Sequence, residues 1–328
     1  MSETAAEQFK DQFEVINALG TIGNTPLVLL EKLFPQVGIN VYAKLEFFNP
    51  SGSIKDRIVS HIISEAERTG ELRKGSTIVE NTSGNTGAAI GMIAALKGYQ
   101  AILTMPDKVS QEKQDALRAY GAKLVICPTD ASPDSEEHYV SKARRSAAET
   151  NNSFMINQYD NQKNADAHYQ TTGPEIWRQT NGQVDYFVAS GSTGGTVTGT
   201  GRYLKDQDPS VKIVMPDPIG SIYYSYFKTG KFAQSDIGTY AVEGIGEDHI
   251  AKCMDFSIVD EMMQFNDNDA FSMCRKLAKT EGILAGGSSG ANLWGCQKVA
   301  DKLSGPATIV TVLPDTGLKY LSKIFTSS

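Results

Sequence analysis

Segments with strand character alternate with segments of helical periodicity along almost all of the 328 residues. The strand patterns at residues 76–80, 100–105 and 122–127 are each followed by a stretch with helical spacing. Because parallel strands need a long crossover connection, usually a helix, this alternation predicts an α/β fold with parallel sheets covered by helices. In such folds ligands bind at the carboxyl ends of the strands, so the loops that follow the strands are the first functional candidates.

The rest of the chain continues this pattern. Further strands are predicted at residues 41–46, 154–159, 185–189, 211–215 and 307–313. Helices are predicted at residues 55–69, 88–97, 110–120, 135–150, 165–180, 267–281 and 318–325. Residues 222–248 are rich in aromatic residues and glycine and have weak periodicity. We interpret them as a substrate-facing or mobile segment, with a plain surface connection as the alternative.

One loop ends in a lysine that opens a helix. Asn49 with the following proline and Gly52 are turn signals, and Ser53 is a suitable N-cap residue. The apolar residues that follow recur at helical spacing until Gly70, so Lys55 is expected in the first helical turn. A cation is unfavourable at the positive end of a helix, so the pKa of a partly buried Lys55 falls and its neutral amine can form a Schiff base. The alternative is a surface lysine that merely follows a loop.

Two loops rich in glycine and hydroxyl side chains have the composition of anion sites. Residues 81–87 read Asn-Thr-Ser-Gly-Asn-Thr-Gly and residues 190–196 read Ser-Gly-Ser-Thr-Gly-Gly-Thr, each between a strand and a helix. Backbone N–H groups at a helix start bind anions, and glycines let the backbone approach the ligand. The second loop contains neither G-x-x-x-x-G-K-[ST] nor G-x-G-x-x-G, so a lone phosphate such as that of pyridoxal phosphate fits it better than a nucleotide. The alternative for each loop is an ordinary turn between strand and helix.

Charge and composition argue against several other classes of protein. The net charge of −7, without a basic run, argues against a nucleic-acid surface. No apolar stretch reaches the roughly 18 residues that a membrane span needs. The four cysteines lack C-x-x-C spacing and are expected to be reduced, mostly buried thiols of a cytoplasmic protein. The four histidines show no metal-ligand spacing, so no metal site is predicted.

Four motifs in order give the chain a resemblance to a known family. They are Asn-Pro-Ser-Gly-Ser-Ile-Lys-Asp-Arg at 49–57, Thr-Ser-Gly-Asn-Thr-Gly at 82–87, Ser-Thr-Gly-Gly-Thr at 192–196 and Gly-Gly-Ser-Ser-Gly at 286–290. Together they resemble the β-family (fold type II) of pyridoxal-phosphate enzymes, which includes cysteine synthases and cystathionine β-synthases. The resemblance covers about residues 15–325.

The resemblance implies a fold like that of the tryptophan synthase β-subunit, with two lobes that each contain a mostly parallel sheet flanked by helices. The smaller lobe is expected at about residues 50–155, and the larger lobe at residues 13–49 and 156–328. A single catalytic unit is expected, without a haem domain or a regulatory C-terminal module. The resemblance further implies a homodimer that acts on small amino-acid and thiol substrates, with no nucleic-acid or membrane partner.

The resemblance also assigns roles to individual residues. Lys55 is expected to hold pyridoxal 5′-phosphate covalently and to act as the general base at the substrate's α-carbon. The phosphate is expected to bind the loop formed by Ser192, Thr193, Gly194, Gly195 and Thr196. Asn85 is expected at the phenolic oxygen of the cofactor ring, Ser288 at its pyridine nitrogen, and Asp315 also at the cofactor. The substrate is expected to contact Thr82, Ser83, Gly84, Thr86, Gln158 and Glu243.

Later segments favour the cystathionine β-synthase branch of the family. Residues 217–221, 242–246 and 314–316 resemble its Asp-Pro-Glu-Gly-Ser, Val-Glu-Gly-Ile-Gly and Pro-Asp-Ser segments. Three positions depart from the family pattern. They are Ser192, where the phosphate loop usually begins with glycine, Asn81, where the usual residue is proline, and Ile219, where the usual residue is glutamate. The expected reaction is β-replacement on serine or an O-activated serine by a thiol, first of all the formation of cystathionine from serine and homocysteine.

Three other functions stay open at this point. A cysteine synthase would use O-acetylserine and sulfide, and a serine dehydratase would hydrolyse the product of β-elimination. A catalytically silent module would use the same scaffold to bind a partner peptide in the cleft. The intact Lys55 and the two anion loops argue against the silent module.

Overall fold

Strands and helices alternate through the parts of the chain that the computed structural model describes, residues 17–82, 84–132 and 134–326. The strands are β1 (Leu27–Leu29), β2 (Ile39–Leu45), β3 (Thr77–Asn81), β4 (Gln100–Pro106), β5 (Lys123–Cys127), β6 (Ser153–Met155), β7 (Tyr186–Val188), β8 (Lys212–Pro218), β9 (Glu261–Phe265) and β10 (Ala307–Leu313). The helices are α1 (Lys55–Thr69), α2 (Asn85–Lys97), α3 (Gln111–Ala119), α4 (Tyr139–Glu149), α5 (Lys163–Gln170), α6 (Thr172–Gln179), α7 (Gly195–Gln207), α8 (Tyr223–Thr229), α9 (Asp267–Glu281) and α10 (Gly287–Ala300).

The strands form two sheets. One has four strands in the order β5-β4-β3-β6, all parallel. The other has six strands in the order β1-β2-β10-β7-β8-β9, parallel except for the antiparallel pair of β1 and β2. The prediction of an α/β fold with mostly parallel sheets is confirmed.

The pairing of β2 with β10 brings distant parts of the chain together. The two strands are parallel and in register from Ile39 opposite Ala307 to Leu45 opposite Leu313. Their carboxyl ends therefore lie side by side, so the loop before α1 meets the loop after β10. The backbone N–H of Ile54 donates to the carbonyl of Pro314 at 2.8 Å. The start of α1 is thus attached to the end of the large sheet.

Each sheet has its own apolar core. Ile58 and Ile62 of α1 pack with Ile78 and Ile90 against the four-stranded sheet. Adjacent residues of β10, such as Ile309 and Val310, belong to separate clusters on the two faces of the six-stranded sheet. This is expected for a strand buried on both faces, because successive side chains alternate.

The strands of the four-stranded sheet all lie between residues 77 and 155. A smaller lobe is predicted at about residues 50–155, flanked in sequence by the two segments of the larger lobe. The exact boundaries stay a prediction. Among the described residues, no helix has both the length and the apolar character needed to cross a bilayer.

Several predicted elements have different limits in the structure. The helix predicted at residues 165–180 is divided into α5 and α6 at Thr171. Pro174 explains the break, because it lacks an N–H and its ring would clash with the carbonyl of Gln170 in a continuous helix. The strand predicted at 154–159 ends at Met155, and Asn157 adopts a positive φ of 51°.

The aromatic segment and the last helix also differ from expectation. Residues 222–248 contain α8, and Tyr223 is fully buried in the core of the larger lobe rather than facing a substrate. The predicted helix at 318–325 is a 3₁₀ turn, Gly317–Tyr320, followed by one π-helical turn, Leu321–Phe325. The short strands β1 and β9 were not predicted.

Candidate active site

Lys55 is the first residue of α1, as the sequence predicts. Ser53 is not the N-cap residue, because the helix is preceded by Ile54; the Ser53 hydroxyl nevertheless accepts a hydrogen bond from the Lys55 N–H at 3.3 Å. Burial lowers the pKa of Lys55, although the carboxylates of Asp315 and Glu247 act in the opposite direction. A lysine with a lowered pKa has more of the neutral amine that nucleophilic and general-base chemistry requires.

Lys55 and the second polar loop line the same cleft. The walls of this cleft include Lys55, Ser192, Thr193, Gly194 and Thr196. The amine and the anion loop therefore face a shared space, although they are far apart in sequence. Among the described residues, the substrate-binding candidates do not line this particular space.

The loop between β7 and α7 presents free hydrogen-bond donors. Within the described part of the chain, no acceptor is found for the backbone N–H groups of Gly194, Gly195 and Thr196. Gly194 adopts a φ of +82°, which favours glycine, and places these N–H groups at the start of α7. Unpaired N–H groups at a helix start are a ready-made site for a phosphate.

Close packing explains why this loop is built from glycine. A Cβ at Gly195 would overlap Oδ1 of Asn164, and a Cβ at Gly194 would lie 2.5 Å from Cα of Met254. Asn164 in turn donates from Nδ2 to the Thr193 hydroxyl at 2.9 Å. This contact satisfies an acceptor position of the hydroxyl, so its own proton remains available to an anion.

A buried histidine supports the other hydroxyl of the loop. Nε2 of His168 lies 3.1 Å from the Thr196 hydroxyl, and Nδ1 lies 2.9 Å from the Thr172 hydroxyl. Burial, reinforced by the positive charges of Arg57 and Lys55, lowers the pKa of His168 well below its usual range. The ring is therefore neutral near pH 7 and acts as a hydrogen-bonding brace for Thr196.

Ser192, which departs from the usual glycine of the family, makes a contact of its own. Its hydroxyl donates to Oε1 of Glu247 at 2.5 Å, and its carbonyl accepts from the Tyr223 hydroxyl at 2.6 Å. Burial raises the pKa of Glu247, while the Ser192 hydroxyl and His249 oppose this effect. These contacts hold the first residue of the loop against the start of α8 and against Glu247 in the segment that follows it.

Asn85 and Asp315 are brought together by the tertiary structure. Asn85 is the first residue of α2 and donates from Nδ2 to Oδ2 of Asp315 at 2.7 Å. The same carboxylate oxygen accepts from the Tyr320 hydroxyl at 2.7 Å, and the side-chain Oδ1 of Asn85 accepts from Nζ of Lys319 at 2.7 Å. Oδ1 of Asp315 is buried and has no partner among the described residues. This polar cluster joins the smaller lobe to the end of the larger one.

Ser288 lies in the first turn of α10 and is buried. The neighbouring Gly286 tolerates no side chain, because a Cβ would overlap Oδ1 of Asp315. Its backbone N–H donates to the carbonyl of Asp315 at 3.1 Å. The predicted cofactor residues Ser288 and Asp315 are thus held close to each other by backbone contacts.

The first polar loop lies at the carboxyl end of β3 and leads into α2. Thr82 is buried, Gly84 precedes the helix, and the Thr86 hydroxyl donates to Oε1 of Gln158 at 2.7 Å. The structure therefore brings the predicted pair Thr86 and Gln158 into direct contact. Ser83 lies outside the described residues.

Glu243 is held by two lysines from different parts of the chain. Nζ of Lys113, on α3 of the smaller lobe, lies 2.7 Å from Oε2, and Nζ of Lys323 lies 3.0 Å from Oε1. Lys113 also lies 5.3 Å from the centre of the Tyr320 ring. Glu243 therefore links both lobes next to the cluster of Asn85 and Asp315.

A buried ionic network fixes the start of α1. Arg57 donates from Nε to Glu46 at 2.6 Å and from Nη1 to Glu175 at 2.7 Å. Nζ of Lys44 lies 2.7 Å from Glu175, so two cations balance two carboxylates. Although burial alone would raise it, the hydrogen bonds and charge of Arg57 and Lys44 lower the pKa of Glu175 to about 2. Every charge in the network has a partner, which is what burial of ions requires.

Sequence reasoning missed several of these contacts. Lys319, Glu247 and Asn164 carry no motif signal that separates them from other polar residues. The exception is Arg57, which follows Lys55 within the motif at residues 49–57 and could have been singled out by its position. The remaining contacts become visible only when the fold places distant segments side by side.

The sequence was compared with known families and proteins. It matches the family described as "Pyridoxal-phosphate dependent enzyme" over residues 18–315. A cystathionine beta-synthase of Apis mellifera is 44% identical over 307 residues, which cover 93% of this chain and 60% of that protein. One of Rattus norvegicus is 45% identical over 307 residues, covering 93% and 54%. The chain thus spans between 54% and 60% of the length of these two relatives.

Other relatives match over more of their own length. A cysteine synthase 1 of Neurospora crassa is 40% identical over 309 residues, which cover 93% of this chain and 82% of that protein. The solved structure of an O-acetylserine dependent cystathionine beta-synthase from Helicobacter pylori has a TM-score of 0.86 at 34% identity, covering 96% of this chain and 100% of that one. An O-ureido-L-serine synthase also has a TM-score of 0.86 at 34% identity, with 94% of each chain covered.

The chain therefore belongs to the family of pyridoxal-phosphate dependent enzymes. The predictions of fold type II and of pyridoxal phosphate as cofactor are confirmed by this membership. The local chemistry fits the cofactor as well. The loop before α7 has free N–H donors for a phosphate, and Lys55 lines the same cleft with an amine of lowered pKa.

Proposed function

We propose that this chain catalyses β-replacement on serine or an O-activated serine by a thiol, and that it forms L-cystathionine from L-serine and L-homocysteine. One observation carries the proposal: Lys55 and the free N–H donors of the loop at residues 192–196 face one cleft. The cystathionine beta-synthases with 44% and 45% identity support the choice of reaction. The H. pylori structure supports an O-activated donor as a variant of the same chemistry.

When bound, pyridoxal phosphate supplies an aldehyde that condenses with amines and a conjugated ring that takes up electrons released at the α-carbon. Lys55 would anchor the cofactor through its amine and, once displaced by the substrate, accept and later return the α-proton. Burial contributes to both roles, because it lowers the pKa of the Lys55 amine. A fully charged ammonium could neither attack a carbonyl nor accept a proton.

The remaining residues would bind and orient the reactants. The N–H groups and hydroxyls of the loop at residues 192–196 would hold the phosphate, Asn85 the phenolic oxygen, and Ser288 the pyridine nitrogen, with Asp315 nearby. The substrate's carboxylate would bind at the start of α2, where Thr82, Ser83, Gly84 and Thr86 lie in sequence and Gln158 contacts Thr86. A helix start stabilises negative charge, which suits a carboxylate. Glu243 would contact the second substrate.

Product identification tests the reaction. Purified protein loaded with pyridoxal phosphate is incubated with serine or O-acetylserine, each combined with homocysteine or sulfide, and the products are identified by mass spectrometry. We expect cystathionine as the main product and a higher kcat/KM with homocysteine than with sulfide. Cysteine as the main product would replace the proposal by its closest alternative.

Cysteine synthase is the second candidate function. The N. crassa relative supports it, because the match covers 82% of that protein. A silent binding module is the candidate of another class, and a purified chain that shows no absorption from bound cofactor would favour it. Pyruvate formed without any thiol would instead indicate a dehydratase.

The form of the protein in the cell is also proposed from the family resemblance. We infer a cytoplasmic homodimer with two lobes, the smaller at about residues 50–155. The four cysteines are free and buried, which is compatible with a reducing compartment. Light scattering of the purified chain would determine whether it is a dimer.

A further inference from the structure

Lys319 occupies an unusual position for a lysine near an active site. Its ammonium group donates to Oδ1 of Asn85 at 2.7 Å and lies 3.4 Å and 3.5 Å from the carbonyls of Ser51 and Gly52. It therefore joins the loop before Lys55, the start of α2 and the segment after β10. Neither the motifs nor the proposed mechanism gives this residue a role.

The contacts of Asn85 account for almost all of its hydrogen-bonding groups. A side-chain amide has one carbonyl oxygen and two N–H donors. Lys319 occupies the oxygen, and Asp315 accepts from one N–H at 2.7 Å. The second N–H of Asn85 has the Tyr320 hydroxyl as its remaining polar neighbour among the described residues. The group of the amide that is left to a ligand is therefore a donor and not the oxygen.

The opposite orientation of the amide is strongly disfavoured. If the amide were turned by half a rotation, its NH₂ group would face the Lys319 ammonium and its oxygen would face the Asp315 carboxylate. Donor would then face donor and acceptor would face acceptor. Hydrogen bonds to charged groups are stronger than neutral ones, so both charges favour the observed orientation.

Asp315 is itself held in place. The Tyr320 hydroxyl donates to its Oδ2 at 2.7 Å, and the absence of a side chain at Gly286 makes room for its Oδ1. The carboxylate is buried and cannot turn toward solvent. The Asp315 carboxylate is therefore a second fixed hydrogen-bond partner, after Lys319, that determines the orientation of the Asn85 amide.

We propose that Lys319 is a positioning residue that, with Asp315, orients the Asn85 amide so that an N–H rather than the carbonyl faces the cofactor ring. The inference rests on the proposed function, in which Asn85 binds the phenolic oxygen of pyridoxal phosphate. That oxygen is an acceptor when ionised, so a presented carbonyl would repel it and a presented N–H binds it. Lys319 acts through Asn85 and does not touch the cofactor itself.

A double-mutant cycle tests this role. The dissociation constant of pyridoxal phosphate is measured by fluorescence for the cofactor-free full chain and for Lys319→Met, Asn85→Ala and the double variant. Loss of a charge-assisted hydrogen bond is expected to weaken binding about tenfold in Lys319→Met. In the Asn85→Ala background the same change is expected to have less than about a twofold effect, because two coupled residues are not additive.

Two controls separate positioning from a structural effect. Lys319→Arg keeps a cationic donor and is expected to restore most of the binding, and thermal unfolding confirms that each variant is folded. In the cofactor-free protein, the side-chain amide NMR signals of Asn85, assigned by their loss in Asn85→Ala, are expected to shift in Lys319→Met. A mainly structural role would lower the thermal stability of Lys319→Met and would not be rescued by arginine.

The outcomes are distinct. A wild-type chain that binds no pyridoxal phosphate would overturn the proposed function. If the wild type binds it but Lys319→Met weakens binding equally in both backgrounds, only the role of Lys319 is overturned. The role of Lys319 would also be overturned if Lys319→Met bound pyridoxal phosphate as tightly as the wild type, or if the NMR signals of the Asn85 amide did not shift in this variant.

Discussion

Lys55 shares a cleft with one buried polar region and lies two residues before Arg57 of another, and the two regions differ in one respect. In the ionic network of Arg57, Glu46, Glu175 and Lys44, every charged group has a partner of opposite charge within 2.7 Å. At the start of α7, the N–H groups of Gly194, Gly195 and Thr196 have no acceptor within the described ranges. A satisfied buried network holds structure, whereas N–H donors without acceptors at a helix start provide a binding site for an anion.

The start of α1 contributes both to the stability of the fold and to the chemistry of the cleft. Lys55 faces the cleft, and Arg57, two residues later, faces the ionic network. The network fixes the backbone of α1, so Lys55 does not have to be held by its own side chain. Its amine can then remain free for chemistry.

Replacement of Lys55 by alanine should show the difference between the two regions most clearly, because it should affect activity and not stability. We expect kcat/KM for β-replacement to fall at least about a thousandfold, because the residue is both anchor and general base. The free energy of unfolding of the cofactor-free chain should stay close to that of the wild type, because the ionic network is untouched. Steady-state kinetics and denaturant unfolding measure the two effects; retained activity would remove Lys55 from the mechanism.

Replacement of Arg57 by methionine should instead damage the network. It leaves the carboxylate of Glu46 buried without a cationic partner and leaves Glu175 with Lys44 alone. This is expected to cost about 3–5 kcal/mol of unfolding free energy. Arg68→Met is the matched control, since Arg68 pairs with Glu65 at 2.8 Å on the surface and should change stability little. Equal losses in the two variants, measured by urea unfolding, would contradict the distinction between buried and exposed pairs.

Replacement of Gly195 by alanine tests the close packing of the loop. The new methyl group would overlap the Asn164 side chain, so we expect a loss of about 1–3 kcal/mol in stability from overpacking. Binding of pyridoxal phosphate, measured by titration, should weaken as the loop shifts. Gly305→Ala is the control, because a Cβ there meets no atom within 4 Å. Unaltered cofactor binding in Gly195→Ala would show that the loop adapts.

The two regions should also differ in their response to pH. The neutral His168 next to Thr196 has its pKa lowered by burial, so the unfolded chain binds the proton more readily. Its contribution to stability is present above its ordinary pKa of about 6.5 and is lost as the pH falls, by at most about 1.4 kcal/mol per unit. The pKa of Glu175 is lowered to about 2, so its contribution to stability is fully present above the ordinary pKa of 4.5 and is lost only as the pH falls from there toward 2.

Unfolding at pH 7, 6 and 5 measures this difference. We expect the loss of stability on acidification to be smaller in His168→Gln than in the wild type. His138→Gln, at the partly exposed start of α4, serves as the control. A slope that is identical in all three proteins would mean that His168 does not titrate on unfolding as its burial implies.

Much of the fold and part of the site could be predicted from the sequence. The alternation of strands and helices predicted parallel sheets, since it depends on local periodicity. The position of Lys55 at a helix start follows from turn signals a few residues away. The helix break at Thr171 could also have been predicted from Pro174, whereas the strands β1 and β9 are short and depend on their neighbours in the sheet.

By itself, the sequence determined the type of fold, the cofactor family and the residues whose signals are local. Only the tertiary structure decided which side chains meet. Arg57 contacts Glu175, which is 118 positions away in sequence, and Lys319 contacts Asn85, which is 234 positions away. Contacts over such distances depend on the order of strands in a sheet, here on β10 pairing with β2. That order is set by the packing of whole layers, and no local pattern of residues encodes it.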